Sequence, residues 1–353
     1  MEESKTILIT GGLGYIGSHA CVVFGQAGYD IVIVDNLSNS HQSVLENISE
    51  LIGKKPTFYN LDIRDISTFE KVFKDNPEID GVVHFAAKKS VGESCQDPFL
   101  YYENNIIGTH NLLKLMQKYD KKNIVFSSSA TVYDSPKLLP PFSENDRLGT
   151  YNPYGTTKLI MEYMLKDLST YKGFNTINLR YFNPVGAHNS GLIGENPKGI
   201  PGNLIPYILK VAKGEIDQVQ IYGDNYDTED GTGVRDYIHV MDVAEAHLNA
   251  YNQLIRYNEY EKENNIDIEK GYYDIFNIGT GDGKSVKEII DLTKKVTEKE
   301  ISSKVVDRRP GDIDTSIANP QKAKQVLGRE YKRSIYQAIE DARRYLNNIE
   351  KNK

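Results

Sequence analysis

Thr6-Ile7-Leu8-Ile9-Thr10 is a short apolar run without polar alternation, the pattern of a strand buried on both faces. A glycine-rich stretch follows, Gly11-Gly12-Leu13-Gly14-Tyr15-Ile16-Gly17, and then apolar positions at helical spacing through Cys21, Val22, Phe24 and Ala27. Ile31-Val32-Ile33-Val34 reads as a second buried strand ending at Asp35. Further strands are predicted at Thr57–Asn60, 82–86 and 124–128, with helices between them. Such alternation builds a parallel sheet covered by helices on both faces. Beyond residue 180 the rhythm loosens. Gly, Pro and Asn crowd positions 183–203, predicting loops that line a cleft, and strands follow at Val219–Tyr222 and Tyr273–Ile278. Ser285 and Glu288 have capping-box spacing, and 334–347 has the spacing of an amphipathic helix. The segment 256–270 is polar and charged, the pattern of a solvated surface insertion.

Length and charge add limits. A chain of 353 residues exceeds one minimal domain, so about two are expected. We place the first at 1–182 around the sheet and a smaller mixed α/β domain at 183–353, with 234–258 packing back on the first. The net charge of -7 is spread along the chain and leaves no basic stripe for nucleic acid. Cys21 and Cys95 are too few for a disulfide framework and lack metal-ligand spacing, so thiols in a reducing compartment and no metal are expected. No apolar run reaches membrane-spanning length, and the first residues carry no apolar signal segment. The expectation is a cytoplasmic protein without a membrane partner.

The glycines carry the first chemistry. Gly12, Gly14 and Gly17 satisfy Gly-x-Gly-x-x-Gly, and Gly11, Gly14 and Gly17 the looser Gly-x-x-Gly-x-x-Gly. Alone this is a weak signal; its weight comes from the strand before, the helix after, and Asp35 about twenty positions on. Glycines let backbone N–H groups approach a pyrophosphate, and the helix N-terminus offers it orphan donors and a positive dipole. A carboxylate at Asp35 accepts from ribose hydroxyls and repels a 2′-phosphate, so NAD is preferred over NADP. The fold expected is a Rossmann-type doubly wound parallel sheet.

Asn152-Pro153 ahead of Tyr154 reads as a helix start, with Asn at the N-cap and Pro at the first helical position. Tyr154 and Lys158 then share a face one turn apart. Ser129 follows the strand 124–128, at the carboxyl edge where ligand crevices open in such sheets. An ordinary phenol has a pKa of ~10, so shuttling protons near neutral pH requires about 3 units, or ~4 kcal/mol, of anion stabilisation. The Lys158 ammonium and a positive nicotinamide ring are the expected sources. Among 24 tyrosines a chance Tyr-x-x-x-Lys is common, but the glycine loop and Ser129 in the same chain favour the chemical reading.

The glycine stretch continued to His19, Ser127-Ser128-Ser129-Ala130-Thr131-Val132-Tyr133, Tyr154-x-x-x-Lys158 and Asn183-Pro184-x-Gly186-Ala187-His188 together resemble the extended short-chain dehydrogenase/reductase family. The stretch from Gly231 to Asp242, Gly-Thr-Gly-Val-Arg-Asp-Tyr-Ile-His-Val-Met-Asp, and Arg308-Arg309-Pro310-Gly311-Asp312 resemble its branch of UDP-sugar 4-epimerases. The resemblance spans nearly the whole chain, in the family's order. It implies NAD held through the turnover and a UDP-sugar substrate (UDP-glucose and UDP-galactose). A base takes the 4-hydroxyl proton while hydride leaves carbon 4; the 4-keto sugar rotates and takes the hydride back on its other face. By the same resemblance Tyr154 is the acid/base, Lys158 tunes it and holds the nicotinamide ribose, and Ser129 bonds the 4-oxygen.

The resemblance also assigns a lining. Gly11, Gly14, Tyr15, Ile16, Gly17, Asp35, Asn36, Leu37, Ser38, Asn39, Ser40, Asp62, Ile63, Phe85, Ala86, Ala87, Lys89, Asn104 and Phe182 would hold the cofactor, with Ser129, Tyr154 and Lys158. Asn183, Asn203, Leu204, Tyr222, Arg235, Arg309, Asp312 and Ser316 would hold the substrate, guanidinium forks suiting a diphosphate. A homodimer is also implied. Two departures from the family pattern, Ala87 and Asp134 where glycine is common, bear on loop shape. Ser316 stands where some relatives carry a pocket-narrowing tyrosine, so room for a 2-acetamido group, and turnover of UDP-GlcNAc and UDP-GalNAc, is expected. A dehydratase would need an acidic pair after the active-site Ser; Ala130 and Thr131 stand there and cannot act as acid and base. A decarboxylase or uronic-acid epimerase on the same scaffold stays open, as does a non-catalytic NAD sensor, which would not need Tyr154, Lys158 and Ser129 together.

Overall fold

A computed structural model describes residues 5–199, 201–264, 270–309, 312–328 and 330–351. Pro310 and Gly311 of the last motif, and 265–269 of the charged segment, lie outside the described residues. The chain forms two compact units: 1–133, 148–180 and 244–276 make the first, and 134–147, 181–243 and 277–353 the second.

The first unit is built on Thr6–Thr10 (β1), Asp30–Asp35 (β2), Thr57–Asn60 (β3), Ile79–His84 (β4), Asn123–Ser129 (β5) and Asn175–Tyr181 (β6). With Tyr273–Ile278 they form a seven-stranded sheet whose order runs from Tyr273–Ile278 through β6, β5, β4, β1 and β2 to β3. The pairs β1–β2, β2–β3, β1–β4 and β4–β5 are parallel. The progression reverses between β1 and β4, the switch point at which doubly wound sheets take their ligands. β1 is buried at all five positions because helices cover both faces, whereas β3, at the edge, is exposed at both ends. Leu8, Val32, Val82 and Ile124 of the sheet pack with Phe69, Phe73, Leu112, Met161 and Leu165 from the helices in one core. At ~1.5–3 kcal/mol per buried side chain, such a core offsets the entropy of ordering the chain.

Two sequence expectations shift. The strand predicted at 82–86 runs Ile79–His84, with Phe85 still donating to Thr10 O at 3.0 Å. Much of the charged segment is no insertion: residues 256–263 end the 24-residue helix Val240–Glu263. There Asn258 donates to Asn123 Oδ1 at 3.0 Å and accepts from Asn175 at 2.6 Å, and Tyr257 meets the Tyr272 ring at 4.8 Å. Polar composition concealed this because the anchoring groups are themselves polar.

The second unit has its own core, in which Ile205, Ile208 and Leu209 meet Ile289, Ile290 and Ile339. Val234–His239 is flanked by Gly283–Ser285 and Thr315–Ser316, and also pairs with Asn183–Val185. Val219–Tyr222 pairs in parallel with Ser303–Val306. The predicted capping box forms: Glu288 N donates to Ser285 Oγ at 3.1 Å and Ser285 N to Glu288 Oε2 at 2.7 Å.

Candidate active site

In the first unit β1, β2, β4 and β5 end at Thr10, Asp35, His84 and Ser129, and the predicted residues follow those ends. Gly11 takes φ +70° and donates to Val34 O at 2.7 Å, turning the chain sharply out of β1. A Cβ on Gly17 would lie 2.2 Å from Gly11 O, so the helix Tyr15–Gln26 meets this loop with nothing larger than hydrogen between them. Gly14 is the N-cap, and no side chain caps that helix, the arrangement that receives an anion on first-turn N–H groups. Asp35 accepts from Leu13 N at 3.1 Å on one oxygen, and from Leu37 N at 2.9 Å and Ser40 Oγ at 2.8 Å on the other. The carboxylate thus ties the glycine loop to the loop after β2, where Leu37 is held at φ +58°. About four lone-pair sites on a carboxylate leave capacity for ribose hydroxyls. Loop, open helix end and carboxylate fit a dinucleotide.

Other predicted cofactor residues flank them. Asp62 accepts a bidentate contact from Arg64 (2.8–3.1 Å), which draws its carboxyl down to about 2, and a bond from Asn36 at 3.1 Å. Ser38 N donates to Asn36 Oδ1 at 3.0 Å; Ser38 and Asn39 are exposed, Ile63 is buried, and Ile16 and Ala87 are half-buried. Ala86 N reaches Thr10 Oγ1 at 3.4 Å, the Phe85 ring meets His247 at 4.6 Å, and Lys89 Nζ lies 5.8 Å over the Tyr15 ring. Asn104 sits in a π-helical turn, Tyr102–Ile107, and donates to Asn105 at 3.1 Å. Asn105 is fully buried and bonds Lys88 N, Lys88 O and Thr157 Oγ1, a bracing role that the sequence did not disclose. Phe182 lies in the second unit, buried, its ring 6.3 Å from Phe142.

The catalytic candidates stand together. Asn152 caps the helix Pro153–Lys172 by accepting from Gly155 N at 2.8 Å, with Pro153 at its first position. That places Tyr154, Lys158 and Glu162 at i, i+4 and i+8 on one face. The serine run answers them one for one. Ser129 faces the Tyr154 phenol and works against the rise in its pKa. Lys158 Nζ donates to Ser127 O at 2.6 Å, and Ser128 Oγ donates to Glu162 Oε1. Thr131 N and Oγ1 donate to Ser129 Oγ at 3.2 and 3.0 Å, steadying it.

Burial dominates the electrostatics of the protein groups here. Burial pushes Lys158 down to about 7, with Glu162 working the other way. Desolvation raises the Tyr154 phenol, and the Ser129 hydroxyl opposes that rise. The Lys158 ammonium lies 5.9 Å from the Tyr154 ring centroid and 4.9 Å from that of Phe126, so it spends its charge on a carbonyl and two rings. On balance burial outweighs these groups, and the phenol lies above its ordinary value. His84, buried beneath, is held neutral: burial and the Lys158 charge lower it to about 3, and its ring nitrogens lie 2.6 Å from Thr10 Oγ1 and 2.8 Å from Thr109 Oγ1.

The second unit holds the predicted substrate residues. Arg235 pairs with Asp312 at 3.0 Å and donates to Val234 O at 2.8 Å, so Asp312 works first as the partner of Arg235. The Arg309 guanidinium lies 3.8 Å over the Tyr222 ring, and Arg308, passed over by the sequence reading, lies 3.7 Å over that of Tyr226. Asn203 donates to Glu195 at 2.7 Å and precedes Leu204, which opens the helix Leu204–Ala212. Asn183 pairs with Tyr237, and the half-buried Ser316 with Arg235, both across parallel strands. Asp134, one of the two departures, has a partner: Arg147 Nε reaches its carboxylate at 2.9 Å.

Comparison with known proteins agrees with this geometry. Residues 7–266 match the model of the NAD dependent epimerase/dehydratase family. The chain is 48% identical over 340 residues to the UDP-glucose 4-epimerase of Bacillus subtilis, covering 96% of each chain. Among solved structures, a UDP-glucose-4-epimerase from Stenotrophomonas maltophila with bound NAD and formylated UDP-arabinopyranose aligns at TM-score 0.91 and 42% identity, over 99% of this chain and 100% of that one. The Bifidobacterium longum UDP-glucose 4-epimerase, in complex with NAD+ and UDP, aligns at 0.89 and 44% identity, over 97% and 98%. The UDP-Glc/GlcNAc 4-epimerase of Campylobacter jejuni aligns at 0.80 with 34% identity, over 99% and 100%. A glycine loop answered by Asp35, a Tyr-Lys helix against a serine strand, and likeness along nearly the whole chain lead to one conclusion: this chain belongs to the NAD dependent epimerase/dehydratase family.

Proposed function

We infer that the chain is an NAD-dependent 4-epimerase of UDP-sugars, interconverting UDP-glucose and UDP-galactose. The observation that carries this is the joint presence of Tyr154, Lys158 and Ser129 on facing elements, in a chain like UDP-glucose 4-epimerases over nearly its whole length. NAD, when bound, accepts and returns the hydride and places a positive ring in the site. Around it, the glycine loop and Asp35 would hold the dinucleotide. Tyr154 would take the 4-hydroxyl proton and give it back, Ser129 would hold the 4-oxygen, and Lys158 would orient the ribose beside the phenol. Arg235 and Arg309 would hold the UDP diphosphate. Dehydration is not favoured, because Ala130 and Thr131 follow Ser129 and neither is an acid.

The same site would accept 2-acetamido sugars, since the residue at 316 is a small, half-buried serine. The test is to incubate the purified protein with UDP-galactose and, separately, UDP-N-acetylgalactosamine without added NAD, and to identify the products. Both should epimerise in wild type, while Ser316→Tyr should keep only the first. No product from UDP-galactose sinks the function, and none from the acetylated sugar sinks the pocket reading alone. A cytoplasmic location accords with Cys21 and Cys95, both free thiols. A homodimer accords with Phe99, Ile107 and Tyr163, exposed on three mutually contacting helical segments of the first unit. Phe99→Glu with Tyr163→Glu should halve the mass read by light scattering; an unchanged mass removes this face as the contact.

A further inference from the structure

Arg180, on β6, is the largest fully buried side chain of the described residues, and it reaches the catalytic elements from two directions. Its Nε and Nη2 donate to the two oxygens of Glu162 at 2.9 and 2.6 Å, and Glu162 in turn accepts from Ser128, next to Ser129. Its Nη1 donates to Tyr133 Oη at 3.0 Å, with the guanidinium 4.9 Å over the Tyr133 ring. Tyr133 closes the short 3-10 turn Ala130–Val132 that begins directly after Ser129. Ser129 is therefore bracketed: the residue before it ends on Glu162 and the turn after it on Arg180, the two halves of one buried ion pair.

A buried ion pair is poor economy as a source of stability, because two apolar side chains of equal volume commonly serve as well. What apolar groups cannot supply is fixed hydrogen-bond direction and a charge beside Lys158. We propose that Arg180 and Glu162 are positioning residues for the proton-transfer centre, holding Ser129 at Tyr154 and setting a carboxylate one helical turn from Lys158. The inference rests on the epimerase reading and deepens it.

The groups facing this pair and Lys158 can be named. Lys158 meets Tyr154 and Glu162 on its own helix, Ser127 O and Phe126 on β5, and His84 on β4. Glu162 and Arg180 also face the Tyr273 hydroxyl, which reaches Glu162 O at 3.5 Å. Among these, Glu162 is the anion whose charge raises the proton affinity of Lys158. Its loss should leave fewer Lys158 cations near neutrality and make the phenolate harder to form.

The experiment compares NAD-loaded wild type, Glu162→Gln, the paired Glu162→Gln with Arg180→Gln, and Tyr133→Phe, using UDP-galactose across pH. Glu162→Gln should lower kcat about 10- to 100-fold with KM little changed, the scale at which outer groups orienting a functional side chain act. It should also move the acid limb of kcat to higher pH. The paired variant should keep the low kcat, while its acid limb returns toward wild type because the Arg180 charge goes too. Tyr133→Phe, which removes one hydrogen bond and keeps the ring, should lower kcat several-fold and leave the limb in place; it decides the matter should the charge variants not fold. Wild-type kcat in Tyr133→Phe, or folded charge variants with wild-type kcat and acid limb, overturns the proposal. Wild-type protein inactive on UDP-galactose would instead count against the epimerase reading.

Discussion

The two units prepare their chemistry in opposite ways. In the first, three charged or titratable groups near Tyr154 are buried and bonded: Lys158 to Ser127 O, Glu162 to Arg180 and Ser128, His84 to Thr10 and Thr109. In the second, the outermost guanidiniums stay exposed and rest on aromatic faces, Arg309 on Tyr222 and Arg308 on Tyr226. On the proposed function the contrast follows from the tasks. A proton moved over a fraction of an ångström needs donors and acceptors fixed before the substrate arrives. A diphosphate on a nucleotide is met by charge, and an exposed guanidinium steadied by a ring spends little desolvation energy while waiting for it. Charge removed from the first unit should thus alter rate and pH dependence, and charge removed from the second should alter affinity.

The largest effect expected is that of Tyr154→Phe. Loss of the proton carrier should cut kcat roughly 10²- to 10⁴-fold while bound NAD, read by absorbance, stays at the wild-type amount. A kcat within threefold of wild type would dissolve the distinction between the units. Arg309→Ala should raise the KM for UDP-galactose about 10- to 100-fold with kcat nearly unchanged, the value of a charged hydrogen bond. Arg309→Lys should recover part of this, since the stack and fork are lost while the charge remains. Steady-state kinetics settle both, and a fall in kcat alone would show that Arg309 belongs to the reacting centre.

The smallest effect is on stability. Lys158 titrates at about 7 in the folded chain against an ordinary 10.5, so its pKa is depressed on folding. Below about 7 both states hold the proton and folding bears the full cost of burying the charge. Between those values the unfolded chain binds more protons, so this residue makes the folded chain more stable as pH rises. Urea midpoints of the nucleotide-free chain from pH 6.5 to 9.5 should rise less in Lys158→Met than in wild type, whereas Arg309→Ala should leave the slope alone. Parallel slopes for Lys158→Met and wild type would mean that Lys158 keeps its ordinary affinity for protons.

Much of the first unit could be read from the chain because its signals are local. β1 and β2 are unbroken apolar runs, Gly11 and Gly17 sit where a Cβ collides with backbone, and Asn152-Pro153 caps a helix by rules that involve only neighbours. Spacing alone put Tyr154 and Lys158 on one face, and the glycine spacing with Asp35 foretold a loop that the Asp35 carboxylate ties down. Contacts across long sequence separations could not be read the same way. Nothing in the spacing singles out Glu162 or Arg180, which the fold sets 2.6 Å apart. The charged stretch after residue 255 looked solvated because its partners, Asn123 and Asn175, lie more than eighty positions upstream. The pKa of Lys158 was the clearest case: its proximity to Tyr154 was written in the spacing, but its desolvation depends on β4, β5 and the helix closing around it. The sequence by itself determined which candidate residues share a helix face, a strand end or a glycine loop, because covalent neighbours and helical period decide that. Only the tertiary structure decided how much charge each keeps, because burial and long-range partners are properties of the packed chain.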